Sequence, residues 1–148
     1  MISKLNYTNA IDVYETLTRI NDKFEDFYIT KDKTRIFLKD LKLITKLLNT
    51  QNFYALSEKE INGLLLIFQE KGYRTYIHLL ANTESSYIKL MKFMVWNYGK
   101  IDLYCKVKRN NPLSKLLFKY DFIFLGNRGN ENLLLRKKEI IKVESKHE

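Results

Sequence analysis

The chain has few of the residues that mark disulfide scaffolds, metal sites and nucleotide-binding loops. Its 148 residues include one cysteine, one proline, five glycines and two histidines. A single cysteine, Cys105, excludes an internal disulfide. One cysteine and two histidines cannot build a conventional structural zinc site, so we expect no metal. The glycine patterns of a P-loop or a dinucleotide-binding loop do not occur, and neither does a nucleophile elbow.

Long apolar runs are also missing. Runs such as Leu64–Phe68 are far shorter than the roughly 20 residues that a membrane span needs. The first residues lack the apolar core and small-residue cleavage site of a secretory signal. We therefore expect a cytoplasmic protein with no membrane partner. Frequent isoleucine, lysine and asparagine are typical of an AT-rich genome such as that of a phage, in which case the host cytoplasm or the virion is the expected location.

Apolar residues and positive charge are abundant. Hydrophobic residues make up 45% of the chain, which suffices for one domain with a real core. Lys and Arg number 26 against 17 Asp and Glu, a net charge of +9 that favours nucleic acid or an acidic protein as a partner. The basic residues are dispersed, so ordinary solvated charge is the alternative. We interpret residues 1–148 as one domain, with a flexible tail of mixed charge over residues 137–148.

The first fifty residues indicate a short strand followed by helices. Ile2–Asn6 is predicted to be extended, and Asn9 is a candidate cap for a helix that runs to about Ile20. Apolar residues at spacings of three and four predict a second helix over Ile36–Leu48. Residues 21–33, between the helices, are predicted to form a surface loop or a short irregular helix.

From Phe53 onward, the sequence contains short segments of residues that favour β-strands. We predict strands over Phe53–Leu56, Gly63–Gln69 and Tyr73–Ala81, joined by polar breaks short enough for antiparallel hairpins. Leu64–Phe68 is apolar on both faces of its strand, which predicts a central strand that is covered on both sides. These three strands form the middle of a meander.

A helix is predicted next, over Tyr87–Tyr98. One of the polar residues 82–86 would cap it, and Gly99 would end it in the left-handed conformation. Trp96 is assigned to the helix face that packs on the sheet. Cys105 is interpreted as a small core residue rather than a nucleophile.

The last third alternates between strand and helix. A strand over Ile101–Val107 leads to a helix that begins near Pro112 and runs to about Tyr120. Two further strands, Phe122–Leu125 and Glu131–Arg136, flank a turn rich in glycine and asparagine over residues 126–130.

This order of elements resembles the GNAT acetyltransferase superfamily, most specifically near the C-terminus. Many members carry an Asn after the fifth strand, then a small residue, a Leu-Tyr pair, a Lys and a Gly-Phe. The matching residues here are Asn110, Leu116, Lys119 and Phe122, whereas three positions differ: Leu113 for the small residue, Leu117 for the Tyr and Asp121 for the Gly. The resemblance implies an α/β (α+β) domain with a central mixed, mostly antiparallel sheet of about six or seven strands and about four helices.

The resemblance also implies a reaction, the transfer of an acetyl group from acetyl-CoA to an amine. Members hold the cofactor at the splay between the fourth and fifth strands and bind its pyrophosphate in a Gly-rich loop. The corresponding residues here are Leu79, Leu80, Ala81, Asn82, Thr83, Ser85, Ser86 and Asn110. Because this segment has no glycine and contains Glu84, the chain resembles a divergent member that lacks the Gly-rich loop.

Three residues are candidates for proton transfer. His78 lies on the predicted fourth strand, where members commonly supply the base, and imidazole titrates near neutral pH. The structural alternative is a histidine that is hydrogen-bonded within the sheet. Leu117 cannot replace a tyrosine as the acid that protonates the CoA thiolate, which leaves Tyr104 and Tyr120 as candidates.

Two functions therefore follow from the sequence. The first is a divergent acetyl-CoA-dependent N-acetyltransferase acting on an amine acceptor. The second is a catalytically inactive GNAT-like binding or assembly protein, phage-encoded or not, that contacts nucleic acid or a protein partner through its basic surface.

Overall fold

Seven strands of the chain form one mixed sheet in a computed structural model, which describes residues 1–20, 28–31, 34–37, 40–70 and 74–139. The helices are α1 (Ala10–Ile20), preceded by a 3-10 turn (Tyr7–Asn9), α2 (Leu41–Thr50), α3 (Glu84–Tyr98) and α4 (Leu113–Lys119). The strands are β1 (Ile2–Lys4), β2 (Tyr28–Lys31), β3 (Thr34–Phe37), β4 (Asn52–Ser57), β5 (Ile61–Gln69), β6 (Thr75–Ala81), β7 (Leu103–Lys108), β8 (Ile123–Arg128) and β9 (Glu131–Arg136).

The sheet order is β1-β4-β5-β6-β7-β9-β8, and β2 and β3 form a separate antiparallel hairpin. Every neighbouring pair in the large sheet is antiparallel except β6 and β7, which are parallel. The crossover between these two strands is α3. The predicted fold class, a single mixed, mostly antiparallel sheet with about four helices, is confirmed.

Helices cover both faces of the sheet. On one side, here called the α1–α2 face, apolar residues of α1 and α2 pack on alternate residues of β4, β5 and β6. On the other, the α3–α4 face, α3 and α4 pack on the intervening residues and on β7. The predicted central strand is confirmed, since Leu64, Leu65 and Leu66 of β5 are all fully buried. Cys105 lies in the core of the α3–α4 face, as predicted.

Close approach of α3 to β5 depends on Gly63. A Cβ atom added there would lie 2.8 Å from Leu90 Cδ1 of α3 and 3.2 Å from Ala81 Cβ of β6. Gly63 is paired with Ala81 at the end of β6 that leads into α3. The absence of a side chain at this position therefore sets how closely the start of α3 sits on the sheet.

The N-terminal half differs from the sequence predictions at two places. The second helix begins at Leu41 instead of Ile36, because the Asp40 side chain accepts a hydrogen bond from the backbone N–H of Lys42 (2.8 Å) and caps the helix. Ile36 belongs to strand β3 instead. The loop prediction for residues 21–33 is wrong at Tyr28–Lys31, which is β2, and its remaining residues lie outside the described part of the chain.

The start of α1 is capped by a different asparagine from the one predicted. Asn6 caps the 3-10 turn by accepting a hydrogen bond from the N–H of Thr8 (2.9 Å), and Asn9 accepts one from the N–H of Asn6 (3.0 Å). The helix itself ends at Ile20, as predicted.

Two further predictions, for Gly99 and Trp96, are wrong at the end of α3. Gly99 has φ −66° and is not left-handed. An added Cβ there would lie 2.6 Å from the backbone carbonyl oxygen of Val95, which favours glycine, and the Gly99 carbonyl accepts a hydrogen bond from the N–H of Glu139 (2.8 Å). Trp96 is 86% exposed, so it does not pack on the sheet.

The C-terminal hairpin is tighter than predicted. Strand β8 continues to Arg128, and the turn narrows to Gly129, whose φ is +60°, and Asn130. Of the predicted tail, Lys138 donates its backbone N–H to Asp102 Oδ1 (2.8 Å), and residues 140–148 lie outside the described residues. No helix in the described part of the chain is both long and apolar enough to cross a membrane.

We predict that Gly63→Ala destabilises the protein by about 1 to 3 kcal/mol, because the new methyl group forces Leu90 or the backbone of β6 to move. Gly126→Ala is the matched control, since an added Cβ there meets nothing within 4 Å. The control should change the free energy of unfolding by no more than about 0.5 kcal/mol. Urea unfolding measures both, and equal stabilities for the two variants would contradict the packing assigned to Gly63.

Candidate active site

An opening in the sheet lies between β6 and β7. Their parallel register extends only over Thr75 with Leu103 and Tyr76 with Tyr104. Beyond these pairs, β6 continues to Ala81 alongside β5, and β7 continues to Lys108 alongside β9. The two strands therefore separate toward their carboxyl ends. Backbone N–H and C=O groups that would have joined them are left to face the gap.

The carboxyl ends of both strands lie at the mouth of this opening, because the strands are parallel. β6 leads through Asn82 and Thr83 into α3. Thr83 caps the helix by accepting a hydrogen bond from the N–H of Ser86 (3.1 Å) and donates one to Ser86 Oγ (3.0 Å). Ser86 Oγ in turn donates to Asn82 Oδ1 (3.2 Å). Three of the predicted phosphate-binding residues thus hydrogen-bond to one another.

The first turn of α3 still offers backbone donors. The N–H groups of Glu84 and Ser85 have no acceptor carbonyl within the helix, as is the case for the first N–H groups of every helix. Both side chains are exposed. The carboxylate of Glu84 places a negative charge beside these donors, which opposes binding of a phosphate.

β7 leads into an exposed turn at the same edge of the sheet. Asn110 has a left-handed backbone with φ 68°, a conformation that asparagine tolerates well. The side chain of Asn111 accepts a hydrogen bond from the N–H of Leu113 (2.9 Å) at the start of α4. Arg109, between β7 and this turn, is exposed. The sequence analysis did not identify Arg109 as a cation at this edge of the sheet. Its position directly after β7 could have indicated it.

A cluster of aromatic and charged side chains lies where the opening begins, on the α1–α2 face. We call it the aromatic–charged cluster, and its members are Phe68, Glu70, Arg74, Tyr76, His78, Tyr104 and Lys106. Lys106 Nζ lies 3.1 Å from Glu70 Oε1, and both side chains are largely buried. The same ammonium group lies 4.7 Å from the centroid of the Tyr76 ring.

The aromatic members are in direct contact. The ring centroids of Phe68 and His78 are 5.0 Å apart with nearly parallel planes, and those of Tyr76 and Tyr104 are 5.6 Å apart. The Arg74 guanidinium lies 4.6 Å from the Tyr104 ring centroid. Sequence reasoning placed His78 and Tyr104 in this region and missed the Glu70–Lys106 ion pair, because its partners are 36 residues apart.

Burial and, to a smaller extent, the nearby positive charge of Lys106 lower the pKa of His78 to about 3. The imidazole is therefore neutral at neutral pH, and its cationic form is strongly disfavoured. His78 remains a predicted base on this geometry.

The two candidate acids lie on opposite faces of the sheet. Tyr104 shares the α1–α2 face with His78. Tyr120 ends α4 and packs against the core of the α3–α4 face. Leu117, in the position of the family tyrosine, is fully buried in that same core. Asp121, at the position where the resemblance implies a glycine, has a left-handed backbone with φ 72°.

Among the described residues, no group of three or more His, Cys, Asp or Glu side chains is placed so that it could hold a metal ion.

Several solved structures have a fold similar to that of this chain. An N-acetyltransferase from Staphylococcus aureus Mu50 superposes with a TM-score of 0.72 at 19% identity, covering 93% of this chain and 96% of that one. A GNAT family acetyltransferase from Bacillus cereus ATCC 10987 gives 0.72 at 12% identity, covering 95% and 98%. This chain has the GNAT fold. A PaiA N-acetyltransferase from Thermoplasma acidophilum, solved with coenzyme A, gives 0.67 at 11% identity, covering 93% and 98%.

No protein-family model and no curated protein sequence matches the chain. The likeness therefore rests on the fold. It confirms the resemblance inferred from the order of elements, and it identifies the β6–β7 opening as the splay of the GNAT fold.

We predict that His78 makes the protein less stable toward acid. Its pKa in the folded state, about 3, lies below that of the unfolded chain, so the unfolded state binds the proton more readily. The free energy of unfolding should fall on the order of 1 kcal/mol between pH 6.5 and 5.5 from this group alone. Urea unfolding of the wild type and of His78→Gln over this range measures the effect. The variant should show the flatter pH dependence, and identical slopes would contradict the assignment.

Proposed function

We propose that the protein is an acetyl-CoA-dependent N-acetyltransferase. The observation that carries this proposal is the restricted register between β6 and β7, which leaves an opening in the sheet at the N-terminus of α3. In the reaction the C–S bond of the thioester breaks and a C–N bond to the acceptor amine forms. The amine nitrogen loses a proton and the CoA thiolate gains one.

The pantetheine arm of CoA fits the opening because strand backbone is unpaired there. Leu79, Leu80 and Ala81 lie on β6 beyond the last residue registered with β7. Their backbone groups supply hydrogen bonds to the amide groups of the arm, and a backbone N–H polarises the thioester carbonyl. The apolar side chains of Leu79 and Ala81 are buried in the α3–α4 core, which holds this backbone rigid.

The pyrophosphate would meet donors from both strand ends. Backbone N–H groups of α3 and the polar residues Asn82, Thr83, Ser85 and Ser86 lie after β6, and Asn110 lies after β7. Glu84 opposes an anion there, and no glycine lets the backbone approach closely. We propose that Arg109, which follows β7, supplies the compensating positive charge.

On the α1–α2 face, His78 and Tyr104 are the proposed proton-transfer residues. His78 accepts the amine proton, directly or through water, and Tyr104 donates to the thiolate. Tyr120 is the alternative donor from the opposite face. An amine acceptor would enter on the α1–α2 face, where both His78 and Tyr104 lie.

The alternative function, a protein that has kept the fold and lost the cofactor, makes the opposite prediction for CoA. Calorimetric titration with CoA at low salt separates the two. Heat of binding together with a rise in melting temperature supports the acetyltransferase. Absence of both at millimolar CoA removes it.

Removing one cation at the mouth should weaken CoA binding. We predict that Arg109→Gln lowers CoA affinity about tenfold, since a hydrogen bond to a charged group contributes on the order of 1.5 kcal/mol. Lys46→Gln removes an exposed charge from α2, on the α1–α2 face of the sheet. It should leave the CoA affinity within about twofold of the wild type. Equal affinities for the two variants would show that Arg109 does not contact the cofactor.

A further inference from the structure

The outer surface of α3 carries the only tryptophan of the chain. Trp96 is 86% exposed, more than any other large hydrophobic side chain in the described residues except Met1. The opposite side of the helix is anchored in the core by Leu90, Met91 and Met94, which are fully buried. The position of Trp96 on the surface is therefore fixed by the packing of α3.

Two lysines flank Trp96 along the chain, and we call the three residues the Lys92–Trp96–Lys100 stripe. Lys92 precedes Trp96 by four residues within α3, so both lie on one side of the helix, about 6 Å apart along the axis. Lys100 follows Trp96 by four residues, in the turn after Tyr98, the last residue of α3, and is exposed. Within the described residues, no ion pair joins Lys92 or Lys100 to a carboxylate. Lys89, one turn earlier, is 3.9 Å from Glu58.

The carboxylates near this stripe are engaged elsewhere. Asp102 accepts the backbone N–H of Lys138 and lies 3.9 Å from Lys137 Nζ. Glu139 pairs with Arg136 at 3.2 Å. The stripe Lys92–Trp96–Lys100 is therefore a flat aromatic surface between two available positive charges.

The arrangement favours one class of ligand. A helix that lies on a membrane separates an apolar face from a charged face, whereas here Trp96 shares its side of α3 with Lys92. A ligand that contacts all three must present a flat face and negative charges at short, regular intervals. Single-stranded nucleic acid has this form, because an unpaired base stacks on an aromatic ring while the adjoining phosphates meet cations.

We propose that the Lys92–Trp96–Lys100 stripe binds single-stranded nucleic acid, with one base stacked on Trp96. The site is separate from the proposed acetyltransferase site, since Trp96 lies 12 residues along α3 from its first residue, about 18 Å from the mouth of the opening. Binding here does not require CoA. A single base platform with two cations gives weak binding with little sequence preference, in the manner of stacking-dominated sites.

The single tryptophan makes the test site-specific. Intrinsic fluorescence of the full chain, excited at the tryptophan band, reports only on Trp96. Titration with oligothymidylate of about 10 nucleotides, a usual site size, should quench this fluorescence saturably at low salt. Heparin, a polyanion without bases, should bind without comparable quenching. Unchanged fluorescence with the oligonucleotide, or equal quenching by heparin, overturns the proposal.

Variants separate stacking from charge. Anisotropy of a labelled oligothymidylate should show that Trp96→Leu weakens binding about tenfold, whereas Trp96→Phe keeps most of the affinity. Lys92→Gln with Lys100→Gln should reduce the slope of log affinity against log salt by about 1.4, because each phosphate contact on a single strand contributes about 0.7. The control is Lys42→Gln with Lys46→Gln, which removes the same charge from two exposed lysines of α2.

The remaining outcomes are also decisive. If the control pair lowers the salt slope as much as Lys92→Gln with Lys100→Gln, binding follows net charge and the stripe is not a site. If anionic phosphatidylglycerol vesicles shift the Trp96 emission to the blue while oligothymidylate leaves it unchanged, the surface meets membranes instead. Either result overturns the proposal, and neither depends on whether the protein binds CoA.

Discussion

The parallel pairing of β6 and β7 is the constraint on which the rest of the structure depends. The pair is held by two registered residue pairs at its base, while each strand is fully paired to an antiparallel neighbour on its other side. The strands are therefore secured individually and can separate from each other without losing their place in the sheet. Helix α3 connects them, and Gly63 allows its first turns to lie against the sheet. The opening, its mouth and its two faces all follow from that arrangement.

Charge is distributed unevenly around this opening. At the mouth, the exposed Glu84 stands at the start of α3, and the exposed Arg109 follows β7. On the α1–α2 face, Lys106 is held by Glu70 in a largely buried pair. That pair fixes a positive charge close to His78 and helps to keep the imidazole neutral. The opening thus lies within a GNAT fold and has charged side chains at its mouth and on its α1–α2 face.

Several elements were predictable because their signals are local. The end of α1 at Ile20, the doubly apolar run of β5 and a polar cap before α3 lie within short windows of sequence, and each was predicted. Predictions failed where contacts distant in sequence decide the conformation. At Gly99, the carbonyl accepts a hydrogen bond from the N–H of Glu139, a pairing with no signature in the residues next to Gly99. Trp96 is a different case, because the buried residues Leu90, Met91 and Met94 lie in the same helix and their spacing leaves Trp96 on the solvent side.

The sequence by itself determined the order of elements from β4 to β9, the net positive charge and the absence of glycine from the turn before α3, because composition and local periodicity do not depend on contacts between distant residues. Tertiary structure alone decided which side chains meet. It joined Glu70 to Lys106, put His78 and Tyr104 on one face and Tyr120 on the other, and left Trp96 between two lysines at the surface. The physical reason is that strand register and helix packing set distances between residues far apart in the chain, and those distances determine charge, burial and access.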